Sequence, residues 1–276
     1  MNRREFAGEG WALPLLTSAV IPGAFVHGFA TRAGGVSPAP YDSLNLGMRW
    51  GDAREHVLEN RRRLQLACAA RALYVVAQVH GVAVVTVGAG DDPAAIAAQE
   101  ADALVTDVPG AALAVFVADC VPVLMACPRT GACAAAHAGW RGVVAGVATA
   151  TLAALERGFG CRPEDVHVAI GPSIGVCCFE VGPEVVAAFT PALAASVSER
   201  PGRKPHIDLR QALRLQLVAA GVRADRIQSS ADCTRCDPGR FYSFRREGTR
   251  TGQHLAVIAR APGPRASTGL TGLKDP

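Results

Sequence analysis

The chain has 276 residues, half of them apolar, enough to bury a large core in one domain or two small ones. Its formal charge of +4 is carried by arginine, with only Lys204 and Lys274 as lysines; apart from Arg61-Arg62-Arg63 and Arg245-Arg246 the arginines are scattered and form no one-faced stripe of Lys and Arg, which argues against a nucleic-acid partner. Nine cysteines, an odd number with Cys68, Cys127 and Cys133 inside apolar runs, argue against a disulfide framework and for a reducing, cytoplasmic compartment.

Along the chain, Arg3-Arg4-Glu5-Phe6 faintly resembles a twin-arginine export signal, but Glu9 precedes the apolar stretch, and Pro14 and Pro22 interrupt it. No small-x-small cleavage site follows, so the segment reads as mature protein. Thr31 to Gly35 and Pro38 to Tyr41 form a Gly- and Pro-rich loop, and Asp52 is placed as the N-cap of a helix running to about Ala67. Leu73 to His80 and Val82 to Val87 read as strands. Leu113 to Ala118, Pro122 to Ala126 and Ala132 to Ala136 read as short buried strands. Val108 to Cys127 is the nearest approach to a membrane span, and Pro109, Asp119 and Pro122 break it. A small-residue helix follows at Val143 to Leu155, then a strand at Val166 to Ile170. Asp208 to Ala220 is an amphipathic helix ended by Gly221, and Leu255 to Ala259 closes the series. The expectation is one mixed, layered α/β domain over residues 1–260, with a flexible tail at 261–276.

Three strand ends carry chemistry. Cys120 follows a buried strand, between Asp119 and Val121-Pro122; His137 ends another and leads into Ala138-Gly139-Trp140-Arg141-Gly142; His80 ends a third in Gln78-Val79-His80-Gly81. All three can meet at one end of a sheet, where open α/β folds tend to place their sites. Two imidazoles and one thiolate suit zinc and leave a fourth position open, as in catalytic rather than structural sites. The turn at Gly139 to Gly142 would offer free N–H groups to an anion, with Arg141 as a bidentate donor. Spacing alone leaves the alternative that these are hydrogen-bonded core histidines and a packed thiol.

Thr31-Arg32-Ala33-Gly34-Gly35-Val36-Ser37 and Pro40-Tyr41-Asp42-Ser43-Leu44-Asn45-Leu46-Gly47 resemble the opening of the YfiH-like family. The similarity continues through Gln78-Val79-His80-Gly81, Glu100 to Thr106, Ala118 to Leu124 and His137-Ala138-Gly139-Trp140-Arg141-Gly142. It ends with Ile170 to Ile174, Cys178 to Gly182, Cys233-Thr234 and Phe241 to Arg246, spanning about residues 25 to 260. Members of that family are described variously as laccase-domain proteins, polyphenol oxidases or purine nucleoside phosphorylases.

The resemblance implies a zinc ion held by His80, Cys120 and His137, and a layered α/β fold shared with the catalytic domain of cytotoxic necrotizing toxins. It implies phosphorolysis of adenosine, inosine, guanosine and methylthioadenosine to base and ribose 1-phosphate, together with adenosine deamination. Purine nucleosides and phosphate are then the partners, with no membrane involved, and a monomer and a dimer are both open. Arg141 and Gly139 at the helix start, with Arg32, Asn45 and Arg246 in the matching motifs, are the candidates for holding substrate or phosphate. Asp119 or Asp102 would assist proton transfer, though a supporting or capping role is equally open to each.

The family's usual Thr-Gly-Arg is here Thr251-Gly252-Gln253, with Arg250 as a possible substitute for the missing arginine. Cys233-Thr234-Arg235-Cys236 is a C-x-x-C for which no regularly spaced partners are visible, so it reads as a pair of loop cysteines. Copper-dependent polyphenol oxidation is disfavoured, because seven histidines without a His-x-His pair do not build a multicopper centre. A third reading makes Cys120 a nucleophile with His137 as base, giving a cysteine hydrolase or amidase that edits peptidoglycan precursors.

Overall fold

The structure is a computed structural model and describes residues 1–189, 191–199 and 202–261. The expected tail therefore lies, apart from Ala261, outside the described residues. Strands β1 (Asn2–Gly8), β2 (Trp11–Thr17) and β3 (Phe25–Ala30) precede helix α1 (Arg54–Ala67). Next come β4 (Ala72–Tyr74), β5 (Val84–Thr86), α2 (Pro93–Ala97), β6 (Ala103–Thr106), β7 (Ala111–Val117), β8 (Val121–Cys127) and β9 (Ala132–Ala138). Helices α3 (Trp140–Ala145) and α4 (Val147–Phe159) lead to β10 (His167–Ile170), α5 (Pro183–Ala188), β11 (Val197–Ser198) and β12 (His206–Ile207). The chain then runs through α6 (Leu209–Ala219), β13 (Ile227–Ser229), α7 (Phe244–Glu247) and β14 (His254–Arg260).

The strands form two six-stranded sheets, ordered β1-β2-β3-β14-β7-β4 and β13-β10-β8-β9-β6-β5, with β11 and β12 as a separate ribbon. Alternation along the strands stacks them. Leu124 and Ala126 of β8 face Leu113, Val115 and Ile258 of the first sheet. Val123, Met125 and Cys127 of the same strand point the other way, onto Leu152 and Leu155 of α4 and Leu213 and Leu217 of α6. The outer face of the first sheet is covered by Leu64 of α1, by Cys68 at its C-terminal end and by Leu44 and Leu46. Four layers result, and the central strands are buried on both faces. That is why β8 and β9 read as unbroken apolar runs although they pair antiparallel. The mixed, layered α/β architecture agrees with the expectation.

Several boundaries differ from the sequence reading, each for a local reason. The helix expected over Val143 to Leu155 is two helices, because Gly146 takes φ 86° and ends α3 in a left-handed cap. The strand expected over Leu73 to His80 stops at Tyr74. Beyond it the Gln78 side chain, not its backbone, bonds the Phe116 N–H (2.6 Å) and C=O (2.9 Å). Asp52 is not the cap of α1; Ala53 holds that position, while Asp52 accepts bonds from Ser37 Oγ and Asn45 Nδ2. The N-terminal segment is a hairpin in which Pro14 sits in register with Glu5 without interrupting β2. β1 is exposed almost throughout, so no apolar alternation marked it. Asp208 does cap α6, accepting the Gln211 N–H.

Cys68, Cys127 and Cys133 are buried, and burial pushes the Cys68 and Cys133 thiols up to about 12, which keeps them inert. Among the described residues no helix is long and apolar enough to cross a membrane.

Candidate active site

One carboxylate assembles the site. Asp102, fully buried just before β6, accepts the backbone N–H groups of His80 (3.0 Å) on Oδ1 and of Gly81 (2.5 Å) and Val79 (3.3 Å) on Oδ2. The same Oδ1 lies 2.7 Å from His137 Nδ1, and the Asp102 carbonyl accepts the His137 N–H. It thus ties the loop of His80, which takes φ 62°, to the end of β9. Burial alone would raise the Asp102 pKa, but the bonds from His137, Gly81 and Val79 bring it below the ordinary carboxylate value. With Nδ1 engaged, His137 presents Nε2 to the site.

Cys120 sits in the turn between β7 and β8, half-buried, with Sγ 3.9 Å from His80 Nε2. The ligand atoms of His80, Cys120 and His137 all lie within 4.8 Å of one another, and the two imidazoles meet edge-on at 4.8 Å between centroids. Burial opposes ionisation of the Cys120 thiol, yet His137 and His80 bring its pKa down to about 6. His137 rises to about 9 because, against burial, it faces that sulfur and Asp102. The arrangement therefore favours a thiolate beside an imidazolium at neutral pH. When the imidazoles are neutral, it offers two nitrogens and a thiolate converging on one point, a donor set that fits zinc.

Gly139 is required by close approach. A Cβ there would lie 2.6 Å from His80 Cδ2 and 3.3 Å from Cys120 Sγ. Gly139→Ala should displace the His80 ring and reduce turnover by ~100-fold, the scale of a misplacement near 1 Å, with the melting temperature little changed. Steady-state kinetics beside thermal unfolding checks this; unchanged turnover would show that the ring position does not matter.

Asp119, at φ 96°, holds the Cys120 turn to two other loops. Its Oδ1 accepts Thr234 Oγ1 (2.6 Å), its Oδ2 accepts the Arg245 N–H (2.6 Å), and its carbonyl accepts the Ile174 N–H. Both carboxylate oxygens are thus engaged in positioning. A cleft of about 910 Å³ opens over the trio, lined by Trp50, Phe116, Phe179 and Phe244 and by Arg49, Arg61 and Arg245. Trp50 and Phe244 stack at 5.5 Å.

The other candidates lie apart from this cleft lining. Arg141 is exposed and its guanidinium rests over the Trp140 ring at 4.4 Å. Arg32 is spent on Asp42 and the Pro238 carbonyl, above the Tyr242 ring. Asn45 is buried and bonds Gly47, Asp52 and the Gln253 N–H. Arg246 clamps the carbonyls of Thr234, Arg235 and Phe241. Gln253 does line the cleft, whereas Arg250 is exposed and does not replace the absent arginine there. The arginines that line the cleft are thus Arg49, Arg61 and Arg245, and not Arg141, Arg32 or Arg246.

Arg61 had a signal in the sequence. It lies four residues after Val57 and three before Leu64, on the buried stripe of α1, whereas its neighbour Arg62 is over half exposed. Its side chain packs over Phe116 and bonds the Leu46 carbonyl. The C-x-x-C reading also needs correction: Cys233 and Cys236 do have partners, Cys177 and Cys178, brought in from another loop.

Residues 26–261 match the family model described as multi-copper polyphenol oxidoreductase laccase. A purine nucleoside phosphorylase of Deinococcus radiodurans is 45% identical over 249 residues, covering 89% of this chain and 92% of the relative. Purine nucleoside phosphorylase YfiH of Escherichia coli is 42% identical over 233 residues, covering 83% of this chain and 91% of the relative. The crystal structure of YlmD from Geobacillus stearothermophilus superposes with a TM-score of 0.83 at 36% identity, covering 93% of this chain and 99% of that one.

Proposed function

The chain belongs to the YfiH-like family, whose model carries the laccase description, and on that premise we propose that it is a zinc-dependent purine nucleoside phosphorylase that also deaminates adenosine. The observation that carries the reading is the His80, Cys120 and His137 trio beneath a cleft that combines aromatic rings with arginines. The donor set fits zinc, and Asp102 supplies the carboxylate support that orients a ligating histidine. Three ligands and no paired histidines do not make the several-copper centre that the family description names. When bound, zinc supplies a Lewis acid able to lower the pKa of water to ~7.

The protein's own groups divide the remaining work. Phe244, Trp50, Phe116 and Phe179 present faces and edges to a purine, with Phe244 47% exposed at the mouth and available for stacking. Arg245, Arg61 and Arg49 meet the phosphate that attacks the ribose carbon as positive charge develops there. Asp119 holds the backbone of Arg245 and the turn of Cys120 in fixed relation, and Asp102 keeps His137 in one orientation.

Purified protein with adenosine should yield inosine without phosphate, and adenine plus ribose 1-phosphate with it, and zinc chelation should stop both. Arg245→Ala should slow phosphorolysis by ~10-fold or more, the scale of a lost charged hydrogen bond, and deamination less. Arg141→Ala should change neither by more than ~2-fold. Chromatography of the products decides it: no purine product under any condition would remove the reading.

One observation favours a second reading. Asp102, His137 and Cys120 stand in the order of a hydrolase triad, with the thiol already pulled down to about 6. Thiol alkylation separates the two: a coordinated Cys120 should react slowly until metal is stripped, and a free nucleophile at once.

A further inference from the structure

Four thiols converge outside the cleft-floor trio. Cys177 and Cys178 belong to the loop after β10, Cys233 and Cys236 to the loop after β13, and their sulfur atoms all lie within 4.8 Å of one another. None is in a disulfide. Cys236 Sγ is 3.3 Å from Cys178 Sγ and 3.6 Å from Cys177 Sγ. Four sulfurs about a tetrahedral zinc, each at ~2.3 Å, would stand ~3.8 Å apart, within the spread seen here. We propose that Cys177, Cys178, Cys233 and Cys236 form a second, structural zinc site of tetrathiolate type.

The surroundings suit four thiolates. The Gly175 N–H donates to Cys233 Sγ at 3.2 Å, and an Arg235 guanidinium nitrogen lies 3.6 Å from Cys178 Sγ; both donors offset negative charge on sulfur. A Cβ at Gly175 would sit 3.2 Å from Cys177 Sγ and 3.3 Å from Cys233 Cβ, so the missing side chain lets the two loops close together. The loops already pair at one bridge, Ser173 with Cys233, closed by the Thr234 N–H to the Ser173 carbonyl. Cys177 and Cys236 are exposed, so apolar burial does not account for the convergence.

The site has a structural purpose in this fold. The first loop carries Ile174 and Phe179 of the cleft wall; the second carries Thr234, whose hydroxyl donates to Asp119 beside Cys120. A metal clip joining them fixes one wall of the cleft without touching substrate. All four protein ligands close the coordination shell, which sets it apart from the three-ligand trio.

The test is metal content of the full chain, purified untagged under reducing, anaerobic conditions. Two equivalents of zinc are expected; Cys236→Ser and Cys233→Ser should each keep one, and Cys120→Ala should also keep one. Cobalt-substituted Cys120→Ala protein should show the intense sulfur-to-cobalt charge-transfer and visible bands of a tetrahedral tetrathiolate, a readout that needs no variant of the four cysteines. A single equivalent that Cys120→Ala removes completely, or cobalt-loaded Cys120→Ala protein without those bands, overturns the site. So does a second equivalent of iron with acid-labile sulfide.

Discussion

Cys120→Ala should lose both purine conversions by more than ~100-fold, since replacing even a supporting partner of a metal ligand costs 10–100-fold. The side chain is half-buried in a turn and outside the apolar core clusters, so circular dichroism and thermal unfolding should remain near those of the parent. The same loss should follow His80→Ala, and that variant carries the discrimination. If the trio holds a metal, His80 is a ligand and its removal disables both reactions. If Cys120 is instead a nucleophile with His137 as base and Asp102 behind it, His80 is dispensable, and His80→Ala should turn over within a few-fold of the parent. The zinc equivalent held by the trio should be lost with activity in both variants, read by elemental analysis beside product formation. Full activity in Cys120→Ala protein would end the zinc reading and the nucleophile reading together.

The second large effect is on stability at acid pH and arises at His254. This residue is buried at the start of β14, opposite Val117, and its Nε2 accepts the Tyr242 N–H at 2.8 Å. Burial, aided by the Arg32 guanidinium, pushes its pKa down from 6.5 to about 3. Above pH 6.5 both the folded and unfolded histidines are neutral and the stability is fully present. As pH falls, the unfolded chain takes up a proton that the folded chain refuses, so stability is lost between 6.5 and about 3. The slope is ~1.4 kcal/mol per pH unit, or about 3 kcal/mol by pH 4.5. His254→Gln keeps an acceptor for Tyr242 and cannot titrate. Denaturant unfolding of both proteins from pH 7 to 4.5 should therefore show the parent losing that amount relative to the variant. Parallel curves would show that the folded histidine takes up its proton as readily as the unfolded one.

The sequence by itself carried the architecture and the three residues that the fold brings together in the candidate site. The central strands were legible because β8 and β9 are buried on both faces, so their apolar runs survive whatever their pairing partner. Asp208 was legible as a cap because its preference is local. His80, Cys120 and His137 stood out as reactive groups at the ends of apolar segments, and the motif order pointed to the family that the relatives establish.

Contacts between residues distant in the chain were decided only by the tertiary structure. Asp102 is one carboxylate among many until folding wraps it in three backbone N–H groups and an imidazole. Arg141 is beside His137 in sequence, yet the turn at Gly139 sends its side chain over Trp140. Arg61 of α1, Phe116 of β7 and the Phe244-Arg245 pair of α7 come from separate elements, so no local pattern joins them. The partners of Cys233 and Cys236 show the same limit. Cys177 and Cys178 stand more than fifty residues earlier and meet them because β10 and β13 run parallel, which carries both following loops to the same end of the sheet.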